Sequence, residues 1–541
     1  MAMNIKDIFA GFNTAVKERA VYEEQWRAIG DVIRPLRQGI REEKTKGEDR
    51  RRKIFDGEPE RSMDRLGADL YSNLTNPASR WFRLAAPDPD LNAFRPVSEW
   101  LFNVGEIMHQ SLRPAHSAFY SQMPIMWVDY PAFGTGYFWS ERQPGTDNFI
   151  DVVDPIGEMY LRTNALGKVD TRYREMKMTV RQIGQKFPDA PFKPAFRKAL
   201  EDPARNNDEM RVVHAVLPNE EFERGKFGLT GKAMQSIYIL KQDATELSRR
   251  GYDESPGFAP RWDLVANEKY GRGIGHKMLA DALMLQAQNA SLLKSGQLAA
   301  EPTLIAADQT VIQDPVRLSP GFINYGGMNR AGKPLVQALN LSGNTPINIE
   351  LIAQTRDAVK NAAFFFLTSL SNRTGISEQE FLTIDEEKLR LMSPMIGRSQ
   401  DEFLSPFITR RFNMLHRMNA LPLPPPELEG MTLDIRYQGP METAQKARDG
   451  ANTMRYARAI GELATVVPDA VDNLDGDAAA QVLSEAFNPN PTVRRDAREV
   501  EEIRETRAEQ DRQAAALAAA NSVADTAQKG AAAFNTGQAA A

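Results

Sequence analysis

The sequence predicts an α+β protein made mostly of helices, on three observations. Between Gly136 and about Val265 the spacing of apolar residues falls toward two, and no long helical run separates the segments that show it. Two long, charge-poor helical runs then follow, Gly275–Ala299 and Asn348–Ser371. On either side of these regions apolar residues recur at helical spacing, interrupted by proline.

Tyr22, Trp26, Ile29 and Ile33 form one apolar stripe, which Pro35 ends. The charged stretch Lys44–Lys53 closes on Arg50-Arg51-Arg52-Lys53 and reads as an exposed loop. Met63, Leu66, Leu70 and Leu74 share a side of a helix over Ser62–Leu74, which Pro77 breaks. Trp81 and Phe82 open an extended segment, and Pro96–His109 is a further amphipathic helix. The expected strands are Asp151–Val153, Met159–Thr163, Asp170–Thr179, Met210–Leu217 and Gln235–Lys241, with a turn at Asn164-Ala165-Leu166-Gly167.

Each long helix would span roughly 35–40 Å at 1.5 Å per residue. A turn-rich stretch, Glu301–Pro346, lies between them. Two such helices suit an antiparallel pair packed against neighbours, and equally an αα-hairpin inside a monomeric core. A helix is expected over Ile384–Met418, anchored by Leu389, Met392, Ile396, Phe403, Phe407 and Leu415 and stopped by the proline run after Leu421. Leu433–Tyr437 reads as a strand, and Ala444–Thr465 and Thr492–Gln528 as helices before an alanine-rich end.

Composition narrows the function. The chain has 541 residues, 42% hydrophobic and 26% charged, which is a globular balance. It has no cysteine, so disulfides and thiolate metal sites are excluded. Lys6, Asp7, Lys17 and Glu18 interrupt the N-terminal apolar residues, so no signal peptide is expected. The run Ala362–Leu367 is far shorter than the roughly 20 residues that cross a bilayer, so no membrane is expected among the partners. A net charge of −5 argues against a tight, sequence-specific DNA binder and suits a conduit, and an ordinary slightly acidic protein has the same balance.

No catalytic, cofactor-binding or metal site emerges. Gly231-Lys232 is followed by Ala233 and lacks the upstream glycine of a phosphate-binding loop. Gly271-Arg272-Gly273-Ile274-Gly275-His276 lacks the last glycine of a dinucleotide fingerprint and follows no βαβ pattern. The five histidines are scattered, and Pro114 separates His109 from His116. Acidic pairs such as Glu386-Glu387 read as solvated helix faces. Among candidate DNA contacts, the Arg50–Lys53 cluster is more simply a solvated loop. Asn372, Arg373 and Thr374 follow the second long helix; they could touch phosphate without reading sequence, or form a plain interhelical turn.

Five blocks carry a family resemblance. They are Leu74-Thr75-Asn76-Pro77-Ala78-Ser79-Arg80-Trp81-Phe82-Arg83-Leu84, then Phe133-Gly134-Thr135-Gly136, Gly167–Arg174, Tyr270-Gly271-Arg272-Gly273 and Tyr437-Gln438-Gly439-Pro440. In this order, from about Trp26 to about Lys446, the chain resembles the portal (head-to-tail connector) proteins of short-tailed bacteriophages. The resemblance implies a ring, usually of twelve copies, at one capsid vertex of the virion. The genome would be packaged and ejected through it as double-stranded DNA, without sequence-specific contact.

It also implies a layout: an N-terminal wing (1–274), a first stem helix (275–300), a clip (301–346), a second stem helix (347–371) and a channel loop (372–383). A long wing helix with the remaining body (384–491) and a C-terminal crown with a flexible tail (492–541) complete it. Leu283, Leu292, Ile352, Val359 and Phe366 would pack the stem. Asp314, Arg317, Phe322 and Tyr325 would meet partners at the clip, and Asn372, Arg373 and Thr374 the DNA.

The partners implied are further copies of the chain, the major capsid protein, a scaffolding protein, the terminase and a tail adaptor, with the host cytoplasm as the place of assembly. Here Leu382-Thr383-Ile384-Asp385-Glu386-Glu387 stands where related chains carry a Thr-Ala-Thr-Glu-Val-like block, which leaves the channel-loop limits open by several residues. A different virion component, such as a tail or ejection protein, and a nucleic-acid-processing enzyme are the alternative readings.

Overall fold

The computed structural model describes residues 4–35, 51, 54–266, 268–300, 304–306, 331, 333, 336–338, 345–363, 392–438, 440–487, 495 and 499–518. The chain divides into two units, Met1–Ser79 with Ser111–Met414, and Arg80–Gln110 with Leu415–Ala541.

The first unit is organised by a five-stranded antiparallel sheet. Its strands are Met159–Thr163, Val169–Thr179, Glu209–Pro218, Met234–Leu240 and Thr245–Tyr252, each paired with the next in sequence. Register sets Tyr160 opposite Tyr173, Tyr173 opposite Ala215, and Ala215 opposite Ile237. Because side chains alternate across a strand, these residues share one face with Val213, Leu217 and Ile239. The N-terminal helix Ile5–Val32 covers that face, with the Phe12 ring 5.1 Å from Tyr160 and 5.7 Å from Tyr173. The opposite face holds Val212, Leu240 and Leu247, covered by the short helices Val180–Lys186 and Pro194–Glu201.

A three-stranded sheet pairs Phe138–Arg142 with Phe149–Val153 and with Gly257–Phe258. The helix Phe119–Phe133 runs into it through a left-handed cap at Gly134. That helix carries Pro124 and Pro131 and is buried on most sides. Neither it nor the strands Phe138–Arg142 and Thr245–Tyr252 are expected from sequence periodicity. The prolines hide the helical period, a helix buried all round over 126–133 has no polar face there to reveal it, and Thr245–Tyr252 is too polar to read as alternating.

Two long helices complete this unit, Ile274–Ala300 and Thr345–Ala362. They pack on each other, and short antiparallel strands Leu304–Ala306 and Val336–Ala338 lie between them in the sequence. The helix Glu58–Leu74 packs against Phe119–Phe133, with Met63, Leu66, Leu70 and Leu74 all buried as their spacing requires.

In the second unit the strand Phe82–Ala85 pairs antiparallel with Asp434–Tyr437, setting Phe82 opposite Tyr437. The helix Arg95–Ser111 carries His109 under this pair: its ring stacks on Phe82 at 4.1 Å, and its Nε2 donates to the Phe82 carbonyl at 3.0 Å. The Trp100 indole donates to the Pro422 carbonyl at 3.0 Å. A helical hairpin, Pro440–Ala464 on Gly476–Phe487, closes where a side chain at Gly450 would lie 2.7 Å from the Ala486 methyl. The helix at 499–518 is tied at its start by Arg504 to Asp477 (2.6 Å) and by Glu499 to Arg95 (3.2 Å).

Candidate functional site

The first long helix starts from a knot of backbone. The Phe133–Gly136 block crosses Tyr270–Gly273 there, and both belong to the first unit. Gly134 has φ +76°, and a Cβ on it would stand 2.3 Å from the Gly271 carbonyl oxygen. A Cβ on Gly273 would stand 2.1 Å from the Pro131 oxygen. Glycine is the residue that lets two main chains approach this closely. The Thr135 hydroxyl oxygen accepts the Gly271 N–H (2.8 Å), and the Gly134 carbonyl accepts the Trp262 N–H (2.8 Å).

Tyr270 locks the knot to the sheet and to the N-terminal helix. Its ring lies 5.1 Å from both Tyr22 and Trp26, and its hydroxyl oxygen accepts the Leu161 N–H at 2.9 Å. Trp26 in turn donates to the Phe133 carbonyl at 3.1 Å. The spacing of both glycine-rich blocks is therefore the geometry that aims the long helix.

His276 sits in the first turn of that helix. Its Nδ1 accepts the Gly273 N–H at 3.1 Å. Burial pushes its pKa down, and the Arg272 guanidinium adds to the shift, to about 4 despite Glu268. The imidazole is neutral at pH 7.

The helix pair is fastened to the segment before Glu58–Leu74. The Gln286 side-chain carbonyl accepts the N–H of Phe55 (2.7 Å) and of Asp56 (3.0 Å), while its amide donates to the Asp56 carbonyl (2.7 Å). The buried Asp56 carboxylate accepts Arg356 from the second long helix at 2.6 Å. Asp56 and Arg356 border a polar cavity of about 430 Å³ with Glu58, Arg61 and Lys360 on its wall. Asp56, Gln286 and Arg356 were not singled out from sequence. The available signal is that Gln286 and Arg356 are polar residues set into charge-poor helices.

Of the expected packing residues, Ile352 and Val359 are buried, Leu292 is half-buried, and Leu283 is 47% exposed in the single chain. The buried stripe of the first long helix is Ile274, Met278, Ala282 and Leu285, and that of the second is Ile352, Thr355 and Val359. Further apolar side chains stay exposed, Leu283, Met284 and Leu293 on one helix and Ile349 and Leu351 on the other. Phe366, the clip candidates Asp314, Arg317, Phe322 and Tyr325, and the loop candidates Asn372, Arg373 and Thr374 lie outside the described residues. So do Arg50, Arg52 and Lys53; Arg51 is exposed and pairs with Glu60 at 2.8 Å.

The other blocks also find structural work. The buried Thr75 hydroxyl accepts the Trp127 indole N–H at 2.8 Å. In Gly167–Arg174, Arg172 lies 3.6 Å over the Trp139 ring and donates to His214 Nδ1 at 3.2 Å. His214 Nε2 then donates to the Ser236 hydroxyl at 2.9 Å. Burial, followed by the charges of Arg172, Lys186 and Arg174, holds the His214 pKa well below the usual imidazole range. The Gln438 N–H donates to the Trp81 carbonyl at 2.8 Å, which joins the first block to the last within the second unit.

Among the described residues, no group of three or more His, Asp or Glu is placed to hold a metal ion. No described helix is long and apolar enough to cross a membrane. What the described residues build is a helix pair and the knot that aims it. The chain matches the family described as bacteriophage head to tail connecting protein over residues 6–493, and it belongs to that family. It is 31% identical over 518 residues to the portal protein of Salmonella phage epsilon15, covering 94% of this chain and 92% of that protein. It is 27% identical over 521 residues to the probable portal protein of Bordetella phage BPP-1, covering 95% and 92%.

Proposed function

We propose that the chain is the virion portal subunit. Copies close into a ring at one capsid vertex, the genome is packaged through it and leaves by it, and the ring connects head to tail. Family membership and the two portal relatives support the connector role. The observation that carries ring formation is the helix pair. One stripe of each helix is buried within the chain, and the apolar side chains of Leu283, Met284, Leu293, Ile349 and Leu351 stay exposed outside it. Apolar side chains exposed on two adjacent helices are stabilised when another surface covers them, and a cyclic assembly of identical chains covers them in every copy.

In this reading residues 275–300 and 347–371 form the stem and 301–346 the clip that meets terminase and tail adaptor. Residues 372–383 form the channel loop and 492–541 the crown, while the surrounding body meets major capsid and scaffolding proteins. Twelve copies is the expected number. The protein has no enzymatic role in this scheme, in keeping with the connector family and the two portal relatives.

Purified protein should give particles of one mass, with ring symmetry and a central hole in top view. An open chain of copies, or a single chain that stays monomeric at high concentration, would refute the ring. Arg373 is the first candidate for phosphate contact. Arg373→Ala should leave ring assembly intact and lower DNA retention in particles, with a shallow salt dependence that reflects few neutralised phosphates.

A further inference from the structure

The helix that runs from residue 392 to Arg417 has a break in its winding. At Gln400–Leu404 it widens into a π turn, where the Ser405 N–H reaches back to the Gln400 carbonyl. Pro406 follows at once. It has no N–H to donate, and its ring is tolerated in the first turn of a helix and not in its interior. The stretch Ser405–Arg417 therefore begins as a new helix would, and two backbone weaknesses fall at one place.

The two sides of this break are held very differently. Beyond it, Phe407 stacks on Phe119 at 5.1 Å, and Arg410 donates to the Ser140 carbonyl at 3.2 Å. Arg411 and Asp151 form a buried ion pair. Before it, Met392 and Ser399 are buried, and the other residues of 392–399 are half-buried or exposed.

One carboxylate inside the wide turn spans to another part of the unit. Glu402 accepts the Arg261 backbone N–H at 2.9 Å and its guanidinium at 2.6 and 3.2 Å. The Arg261 carbonyl accepts the Tyr130 hydroxyl at 3.3 Å, and Arg261 is bridged to Thr135. Glu402 thus grips the same knot from which the first long helix starts.

We propose that the wide turn is a hinge and that Glu402 is its brace. A displacement of Arg261 at the root of the first long helix passes through the Glu402 carboxylate and swings segment 392–399 against Ser405–Met414. The Ser405–Met414 side stays fixed, because Phe407, Arg410 and Arg411 are each held by separate partners. The coupling links the helix root to a second helix through two residues 141 positions apart in the chain. It goes beyond the portal reading and does not depend on the number of copies.

Hydrogen exchange read by peptide mass spectrometry on the assembled full-length protein tests it. Glu402→Gln should speed exchange across 393–404 by about tenfold and leave 407–414 unchanged, as local opening would. Should that variant not fold, Glu402→Asp keeps the charge on a shorter arm and should give the same pattern at smaller amplitude. Pro406→Ala restores a backbone donor and should slow exchange in 393–404. Thr135→Val removes only the acceptor of the Gly271 N–H, yet should also speed exchange in 393–404. Unchanged exchange in Glu402→Gln, or a uniform rise through 393–414, would overturn the hinge. Loosening confined to 262–276 in Thr135→Val would overturn the coupling to the helix root.

Discussion

The five-stranded sheet and the pair of long helices belong to the same unit and meet opposite fates in a single chain. Both faces of the sheet are covered by the chain's own helices, so Tyr173, Val213, Ala215, Ile237 and Ile239 are all buried. The long helices bury one stripe each and leave Leu283, Met284, Leu293, Ile349 and Leu351 open. The sheet and its surroundings are finished by folding; in the proposed ring the helix pair would be finished by association. Damage to the first should be read as lost stability, and damage to the open face of the second as lost assembly.

The largest effect should come from the finished region. Asp151 and Arg411 are buried together, with Ser117 donating to the same carboxylate. Asp151→Ala leaves the Arg411 guanidinium buried without its counter-charge, which costs about 3–5 kcal/mol. Chemical denaturation should show this as a large fall in midpoint, or the protein should not accumulate. The paired replacement Asp151→Leu with Arg411→Met should recover part of the loss, because it buries no charge. If the single and double replacements are equally harmful, the pair is not the source of the stability.

Next come the inward stripes of the helix pair. Met278 and Ile352 are buried within the chain, so truncation of either to alanine opens a cavity and should cost about 2–4 kcal/mol in unfolding free energy. The loss should be the same for dissociated and assembled protein. A loss seen in the assembly alone would place these side chains at a contact between copies and erase the contrast between the two stripes.

What periodicity could show is uneven in a physically consistent way. The helix expected over Gly275–Ala299 runs Ile274–Ala300, because a long run of apolar and small residues bounded by glycine leaves little choice. The stripe Met63, Leu66, Leu70, Leu74 is likewise buried, though its helix starts earlier, at Glu58, since Pro59 suits a first turn. Phe119–Phe133 shows no clear period because two prolines interrupt its pattern and its second half, 126–133, is buried on every side.

The links that matter most, at the helix root and in the buried ion pair, are long-range. Gly134 meets Gly271 and Gly273, and Asp151 meets Arg411, 260 positions away. No local window contains both partners of such a pair. The blocks themselves could be noticed as motifs, while the reason for their glycines appears only when the two main chains are seen to touch. The π turn at Gln400–Leu404 is similar: Pro406 hints at an interruption, and the direction of Glu402 needs the fold.

A smaller and conditional effect is expected from pH at the helix root. Folding lowers the His276 pKa from an ordinary 6.5 to about 4. Above pH 6.5 both folded and unfolded chains carry the neutral ring, so the group contributes no pH dependence. As pH falls from about 6.5 toward 4, the unfolded chain binds a proton that the folded chain refuses, and stability is lost by up to about 3 kcal/mol. His214 adds a loss of the same sign. Melting temperature measured from pH 7.5 to 4.5 should fall, and His276→Gln should flatten part of that fall. An unchanged profile in the variant would mean that the ring is already solvated in the native protein.

The smallest effect on folding carries the most weight for the comparison. Leu283 and Leu351 are 47% and 44% exposed in the single chain. Leu283→Gln with Leu351→Gln should therefore change the unfolding free energy of the dissociated chain by no more than about 0.5 kcal/mol for each replacement, the range of ordinary surface substitutions. In the assembly the same side chains would sit in a desolvated contact repeated in every copy, so a small penalty per interface acts on the whole ring at once. Native mass measurement should show the variant as single chains or small oligomers under conditions where the parent protein forms one large species. Two outcomes separate the possibilities. Normal assembly with normal stability would mean that the open stripe faces solvent or another protein, and the association half of the contrast would fail. Lost stability in the dissociated chain would mean that the helix pair is packed against its own chain more fully than the exposures of Leu283 and Leu351 allow.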